Sequence, residues 1–339
     1  MALPGHTSAE RKEERPMGSL YPLCFQPILR RYLWGGRRLG TVLGKSIGPE
    51  RDYAESWEVA DHGMDQSVVN DGPLAGKRLE QLVEEFGVAL TGGKSGFQRF
   101  PLLLKYLDAH RVLSVQVHPN DAQAALLQPP DLGKTEAWVI LAADPGSVLY
   151  AGLRSGVGRT DLEVALRTGA VAELLHVIEP CVGDCFYIPA GTVHAIGAGL
   201  MIAEIQQSSD VTFRLFDWNR NGPDGTPRKL DVDAALNATD FTAGPVACQR
   251  PEVLRHSVVS RLVSCSAFAL DRWTWQGTES LGGDDQFHVV TVLEGEVTLL
   301  AKNGPVELQR GQTSLIPASC QVQMHAAHPC VMLDAHLSE

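Results

Sequence analysis

The sequence predicts a mainly β protein built as two jelly-roll-like β-barrels, with a few short helices decorating the first. Most of the chain breaks into short β-branched and aromatic runs punctuated by Gly, Pro and Asp. With 33 Gly and 20 Pro in 339 residues, that is the pattern of many strands joined by turns. Only three patches show helical periodicity. A strand that begins after a Gly and ends at a Pro six residues later occurs twice, at Gly183–Pro189 and Gly311–Pro317, as an internal repeat would. A 44% hydrophobic content over this length is enough for one large or two medium domains.

In chain order, residues 1–19 are polar and carry Glu10-Arg11-Lys12-Glu13-Glu14-Arg15. Without an apolar stretch after a basic start they read as a disordered leader, with Met17 as a second candidate start. Leu79, Leu82, Val83, Phe86 and Leu90 form one helical stripe. Strands are expected at 101–107 and 112–118. Asn120 caps a helix over 121–128. Strands at 137–142 and 147–151 follow. Thr160-Asp161-Leu162-Glu163 reads as a capping box opening a helix to about Leu175. Strands at 185–188 and 200–207 complete a first unit, 20–242. A Gly- and Pro-containing linker near 241–250 leads to the second unit, 250–339, with a strand at 289–293 and Phe268, Trp273 and Trp275 as core.

The chemistry concentrates in Gly183-Asp184-Cys185-Phe186-Tyr187-Ile188-Pro189-Ala190-Gly191-Thr192-Val193-His194. A short strand is stopped by a Pro-Ala-Gly turn, and His194 opens the next strand. Upstream, Ser114, Gln116 and His118 alternate along a strand and share one face. Lys134 and Glu136, two apart, share another. Two imidazoles, a carboxylate and an amide oxygen suit a divalent cation, and Zn²⁺ accepts such donors at about 2.0–2.2 Å. A lone strand His is ordinarily just packed or solvated; here two spacings agree. The Gly-Pro-Gly-His spacing is that of the second cupin half-motif, whose terminal His points into the barrel. In the repeat, Val322 falls where His194 does, so the second unit is expected to be a degenerate cupin without metal.

Taken with Trp34-Gly35-Gly36, Glu55-Ser56-Trp57-Glu58, the run from Phe100 to Lys105 and the run from Glu204 to Trp218, these segments resemble the class I phosphomannose isomerases over roughly residues 20–240. The resemblance implies an aldose–ketose isomerase that interconverts mannose 6-phosphate and fructose 6-phosphate through a cis-enediol. It implies one Zn²⁺ per chain on Gln116, His118, Glu136 and His194. It implies catalytic roles for Lys134, Asp210 and Arg214, and substrate contacts from Ser114, Lys105, Lys134, Glu204 and Arg214. Family members often carry His before the equivalent of Lys134; Gly133 stands here, so Asp210, Lys134 or a metal-bound water remain as acid/base candidates. The same ligands also satisfy a non-haem iron oxygenase triad, and a non-catalytic sugar-phosphate-binding cupin is the third reading.

A net charge of −11 argues against nucleic-acid or anionic-membrane partners, and no apolar run approaches about 20 residues. Phosphate affinity must then come from local cations, for which Lys105, Lys134 and Arg214 are the candidates. Seven scattered cysteines fit the cytoplasm, with Cys181 and Cys185 read as buried small hydrophobes, and the chain is expected to act as a monomer or homodimer. Trp34, Trp57 and Trp138 are core candidates that could also shape a sugar pocket. His325 and His328 read as surface residues, and Gly92-Gly93-Lys94-Ser95 lacks the spacing of a phosphate loop.

Overall fold

The computed structural model describes residues 20–93, 97–221, 225–255 and 258–338. The leader, Met17, Lys94 and Ser95 lie outside them. The architecture is mostly strand. A six-stranded antiparallel sheet runs in the order Cys185–Ile188, Glu136–Ala143, Leu200–Gln207, Leu102–Ala109, Tyr53–Val59, Ile28–Gly36. A five-stranded sheet runs Leu175–Ile178, Leu149–Leu153, His194–Ile196, Val115–Val117, Phe213–Phe216.

The six-stranded sheet is covered on both faces. Leu107, Trp138, Ile140 and Ile202 pack with Leu149, Ala151 and Ile196 of the five-stranded sheet. Leu102, Leu104, Tyr106, Val139 and Ile205, one residue out of phase, join Phe287, Val289, Leu315 and Leu333 of the C-terminal half. That double burial explains why Leu102–Ala109 is buried at every position and reads as a near-continuous apolar run. Lys105 therefore sits at the middle of a buried strand. Behind the five-stranded sheet, the helices Arg159–Thr168 and Val232–Ala238 cover Val115, Val117 and Leu215; the second of these helices was not anticipated from sequence.

The helical expectations need correction at their ends. The 79–90 stripe is two helices, Leu79–Phe86 and Val88–Thr91, because Gly87 takes φ 45° between them. They pack between the two halves, and Leu90 O accepts a bond from Ala318 N–H at 3.0 Å. Asn120 does cap its helix, but the helix ends at Ala124, where the chain tightens into i→i−3 bonds, Leu126 N–H to Gln123 O at 3.2 Å and Leu127 N–H to Ala124 O at 3.1 Å. The 160–175 helix begins one cap earlier: Gly158 N–H donates to the Asp161 carboxylate at 2.8 Å. It stops at Thr168 because Gly169 adopts the left-handed C-cap, φ 76°. Residues 171–174 form a 3₁₀ turn, and Leu175 already begins a strand.

The C-terminal half carries an eight-stranded sheet dominated by two long paired strands, Ala269–Gly282 and Gln321–His336. Val322, Trp273 and Trp275 lie in its apolar core, so the counterpart of His194 is a packing residue. His325 and His328 are exposed on a strand, not a helix. The first described residues cross over to this sheet: Leu23 and Leu315 exchange two backbone bonds of 2.8 Å. Cys181 is exposed, whereas Cys185 is buried. No helix among the described residues is long and apolar enough to cross a membrane.

A polar cluster is walled into the C-terminal half. His288 Nδ1 lies 3.0 Å from both oxygens of Asp334, and its Nε2 lies 3.3 Å from Asp284. Burial works to lower its pKa, but the Asp334 and Asp284 carboxylates outweigh burial and push it up to about 10. Its stabilising charge is fully present below the ordinary value of about 6.5 and is lost as pH climbs through 10. Asp334→Asn is expected to cost about 3–5 kcal/mol at pH 6, because it strands a buried imidazolium, and much less at pH 10.5. Urea unfolding at the two pH values checks this; a cost independent of pH would mean that charge is not what Asp334 contributes.

Candidate active site and metal centre

Two rows of side chains face each other between the sheets. On the five-stranded sheet, His194, Gln116 and Arg214 are register partners across three adjacent strands. On the six-stranded sheet, Trp138, Glu204, Lys105 and Trp57 form the opposing row. His118 lies just past Val115–Val117, and Glu136 opens its strand. The period-2 alternation of both sheets thus delivers all these side chains to one interior.

His118, Glu136 and His194 are buried, and their donor atoms lie within 4.8 Å of one another. His118 Nε2 is 3.2 Å from Glu136 Oε1, and His194 Nε2 is 3.8 Å from Oε2. Each imidazole uses its other nitrogen on a backbone carbonyl: His118 Nδ1 on Val211 at 2.8 Å, His194 Nδ1 on Thr192 at 2.9 Å. A carbonyl can only accept, so Nδ1 carries the proton and the Nε2 lone pair points into the cluster, the arrangement of a metal-binding histidine. Burial and the Lys134 charge lower His118, and burial together with His118 pushes His194 down to about 3. Both are therefore in the neutral form that a metal requires. Burial opposes ionisation of Glu136, but the Lys134 ammonium at 3.0 Å, together with His118 and His194, outweighs it and holds the carboxyl well below its usual range.

These residues fit a divalent cation. Glu136 Oε1 meets the Lys134 ammonium at 3.0 Å, but Oε2 is buried without a hydrogen-bond partner, a costly arrangement unless a cation satisfies it. The buried carboxylates Glu55, Glu136 and Glu204 also outnumber the buried ammonium groups of Lys105 and Lys134. Gln116 is half-buried and turns its amide against His194 Nε2 at 3.2 Å; rotation about its last bond brings the oxygen to the same place.

The cavity outside the triad measures about 260 Å³ and is lined by Ser114, Gln116, Lys105, Lys134, Glu204, Asp210 and Arg214 among others. All ten residues singled out from sequence therefore meet in one place. Lys105 is not solvated: its Nζ lies 3.0 Å from Glu204, and the surrounding carboxylates outweigh the desolvation that would lower its pKa. Arg214 pairs with neither Asp210 nor Asp217; its Nε donates to Ser114 Oγ at 3.2 Å and its Nη1 to the Lys229 carbonyl at 3.1 Å. Burial raises Glu204 to about 7, helped by the Glu136 charge and opposed by Lys105.

Residues 23–136 match the profile of the phosphomannose isomerase type I catalytic domain, and residues 259–323 that of the mannose-6-phosphate isomerase cupin domain. Mannose-6-phosphate isomerase ManA of Bacillus subtilis (strain 168) is 34% identical over 297 residues, 87% of this chain and 93% of that one. The chain belongs to the type I phosphomannose isomerase family.

The crystal structure of the mannose 6-phosphate isomerase from Bacillus subtilis superposes with a TM-score of 0.85 at 30% identity, over 93% of this chain and 99% of that one. A mannose 6-phosphate isomerase structure bound with zinc and yttrium shares the fold at a TM-score of 0.71 and 17% identity, over 94% of this chain and 100% of that one.

Within this type I phosphomannose isomerase, sequence reasoning missed Glu55, Tyr32, Thr212 and Arg228 as cavity residues. Glu55 had a signal, since it stands in the Glu-Ser-Trp-Glu segment; Trp57 Nε1 donates to its Oε2 at 2.7 Å. Arg228 had none. It reaches the cavity because Asp217 holds both it and Arg220. Of the three tryptophans, Trp34 lines the cavity, while Trp57 and Trp138 are fully buried. Trp138 backs the centre edge-on, its ring 5.2 Å from that of His194.

Proposed function

We propose that the chain interconverts mannose 6-phosphate and fructose 6-phosphate at a zinc site, through a cis-enediol. The observation that carries this is the His118–Glu136–His194 cluster, whose Glu136 lines the same cavity as Arg214 and Arg228. His118, Glu136 and His194, with Gln116, would hold one zinc per chain, and the zinc would supply electrostatic stabilisation of negative charge developing on the sugar oxygens. The zinc-bound fold neighbour supports that choice of metal.

Arg214 and Arg228 bind the phosphate, and Ser114 steadies Arg214. Lys134, beside the triad, donates to a sugar oxygen near C1 and C2. Glu204, with a pKa of about 7, takes the proton from one carbon and returns it to the other, since a base poised near the working pH transfers protons best. Asp210, exposed at the mouth, is better placed to hold a sugar hydroxyl than to reach the reacting carbons. The seven free cysteines support a reducing cytoplasmic setting, and a monomer or homodimer suffices because every site residue comes from one chain.

Purified chain loaded with zinc, given mannose 6-phosphate in an assay coupled to fructose 6-phosphate, tests the reading; no turnover above background would sink it. Arg214→Ala is expected to raise KM roughly ten- to a hundred-fold while zinc stays bound, because one charge-assisted phosphate contact is worth about 1.5–3 kcal/mol. Arg214→Lys recovers part of the loss, lacking the planar fork. Kinetics and metal content on one preparation decide it: loss of zinc would show a structural role instead.

A further inference from the structure

The strand Ile28–Gly36 leaves its neighbour between Arg31 and Gly36. Both of those residues pair with Tyr53, so Tyr32, Leu33, Trp34 and Gly35 form an excursion at the sheet edge. The excursion is anchored from two sides. Tyr32 N–H donates to Asp52 O at 3.1 Å, and Trp34 O accepts from Arg111 N–H at 3.0 Å. Gly35 lies so close to the adjoining strand that a Cβ would stand 2.5 Å from Asp52 O and 2.6 Å from Ala54 N. Any other residue would push the excursion off its seat.

The two rings of this segment stack on each other, with centroids 5.7 Å apart and planes 24° apart, and both line the cavity. Trp34 is buried, whereas Tyr32 keeps 42% of its surface exposed. Tyr32 belongs to none of the core clusters among the described residues; it rests on Trp34, which belongs to one. Leu107, Leu113 and Ile196 continue the same apolar surface, while Lys105, Lys134, Glu204 and Arg214 make the rest of the cavity polar. One aromatic wall opposite hydrogen-bonding walls complements a closed sugar ring. A mannopyranose ring presents a flat face of axial C–H groups on the side opposite its axial 2-hydroxyl. An extended open-chain sugar has no such face.

We infer that Tyr32, backed by Trp34, is the wall on which the C–H face of the substrate's closed pyranose ring docks, so that the chain captures the ring form of its sugar phosphate. The inference rests on the proposed reaction for the identity of the sugar. It is tested with two ligands that have no carbonyl and cannot be isomerised: 1,5-anhydromannitol 6-phosphate, locked as a ring, and mannitol 6-phosphate, an open chain. Binding to the zinc-loaded wild type, Tyr32→Ala and Tyr32→Phe is measured by calorimetry. Tyr32→Ala is expected to weaken the locked ring by about three- to ten-fold, the range of an aromatic stacking contact, and to leave the open chain within about two-fold. Tyr32→Phe, which keeps the ring and loses only the hydroxyl, is expected to match wild type. Equal weakening of both ligands, no weakening of the locked ring, failure of wild type to bind the locked ring, or a Tyr32→Phe loss as large as that of Tyr32→Ala would each overturn the inference. The ratio of the two affinities is read without turnover. An inactive wild type in the isomerase assay would therefore sink the proposed reaction and not this wall.

Discussion

Replacing His194 by alanine is expected to strip the centre of its metal and abolish isomerisation. The ring nitrogen that faces Glu136 is committed to the centre because the other is tied to the Thr192 carbonyl at 2.9 Å. With its pKa pushed down to about 3, His194 is a neutral donor at any working pH. Losing even a group that only orients a metal ligand costs about 10–100-fold in affinity, so losing the ligand itself should exceed about 100-fold. His118→Ala should behave alike, since Val211 orients that ring in the same way. Neither change opens a large hole in an apolar core, so both variants should fold. Metal content and turnover on the same preparation give the answer. A variant with full metal and wild-type rate would show that the ligands have been misassigned.

Glu204→Gln is expected to lower kcat by about 10²–10⁴-fold, the usual contribution of a positioned acid/base, while leaving zinc in place. The sign of the pH dependence follows from the direction of the shift. A base must be ionised to act, and burial raises Glu204 to about 7. In wild type kcat/KM should therefore climb with pH along a limb that lies below about 7 once a bound cation offsets the Glu136 charge that helps raise Glu204, and in Glu204→Gln that limb should disappear. Lys105 lies 3.0 Å away and favours the carboxylate. Lys105→Met should accordingly move the limb to higher pH rather than remove it, although it also strands a buried carboxylate and should cost stability. A Glu204→Gln enzyme that keeps the wild-type limb would shift the role to Asp210 or Lys134.

The two histidines of the His118–Glu136–His194 cluster were legible because the signals for them are local. A Pro-Ala-Gly turn must end the strand 185–188 and restart the chain at His194, and a strand must put Gln116 and His118 on one side. Those are consequences of backbone geometry over a few residues. The strands 185–188 and 200–207 are found at the expected bounds for the same reason. Helix ends were less legible, because a cap is decided by which side chain reaches which N–H. Thr160 had the right chemistry, yet Asp161 reaches Gly158 first.

By itself, then, the sequence determined a mostly β chain and the candidate ligands His118, Glu136 and His194, which rest on alternation and turn chemistry, while the polar residues around them were reached through the family resemblance. Only the tertiary structure decided how those residues are paired and charged. Lys105 meets Glu204 from another strand. Arg214 bonds to Ser114 from a hundred residues away. Arg228 arrives through Asp217, and Tyr32 reaches the cavity because a glycine lets an edge strand bulge against its neighbour. The physical reason is that a pattern of residue types fixes which way a side chain points. Its electrostatic partner and its dielectric surroundings are set by what the far parts of the chain bring against it.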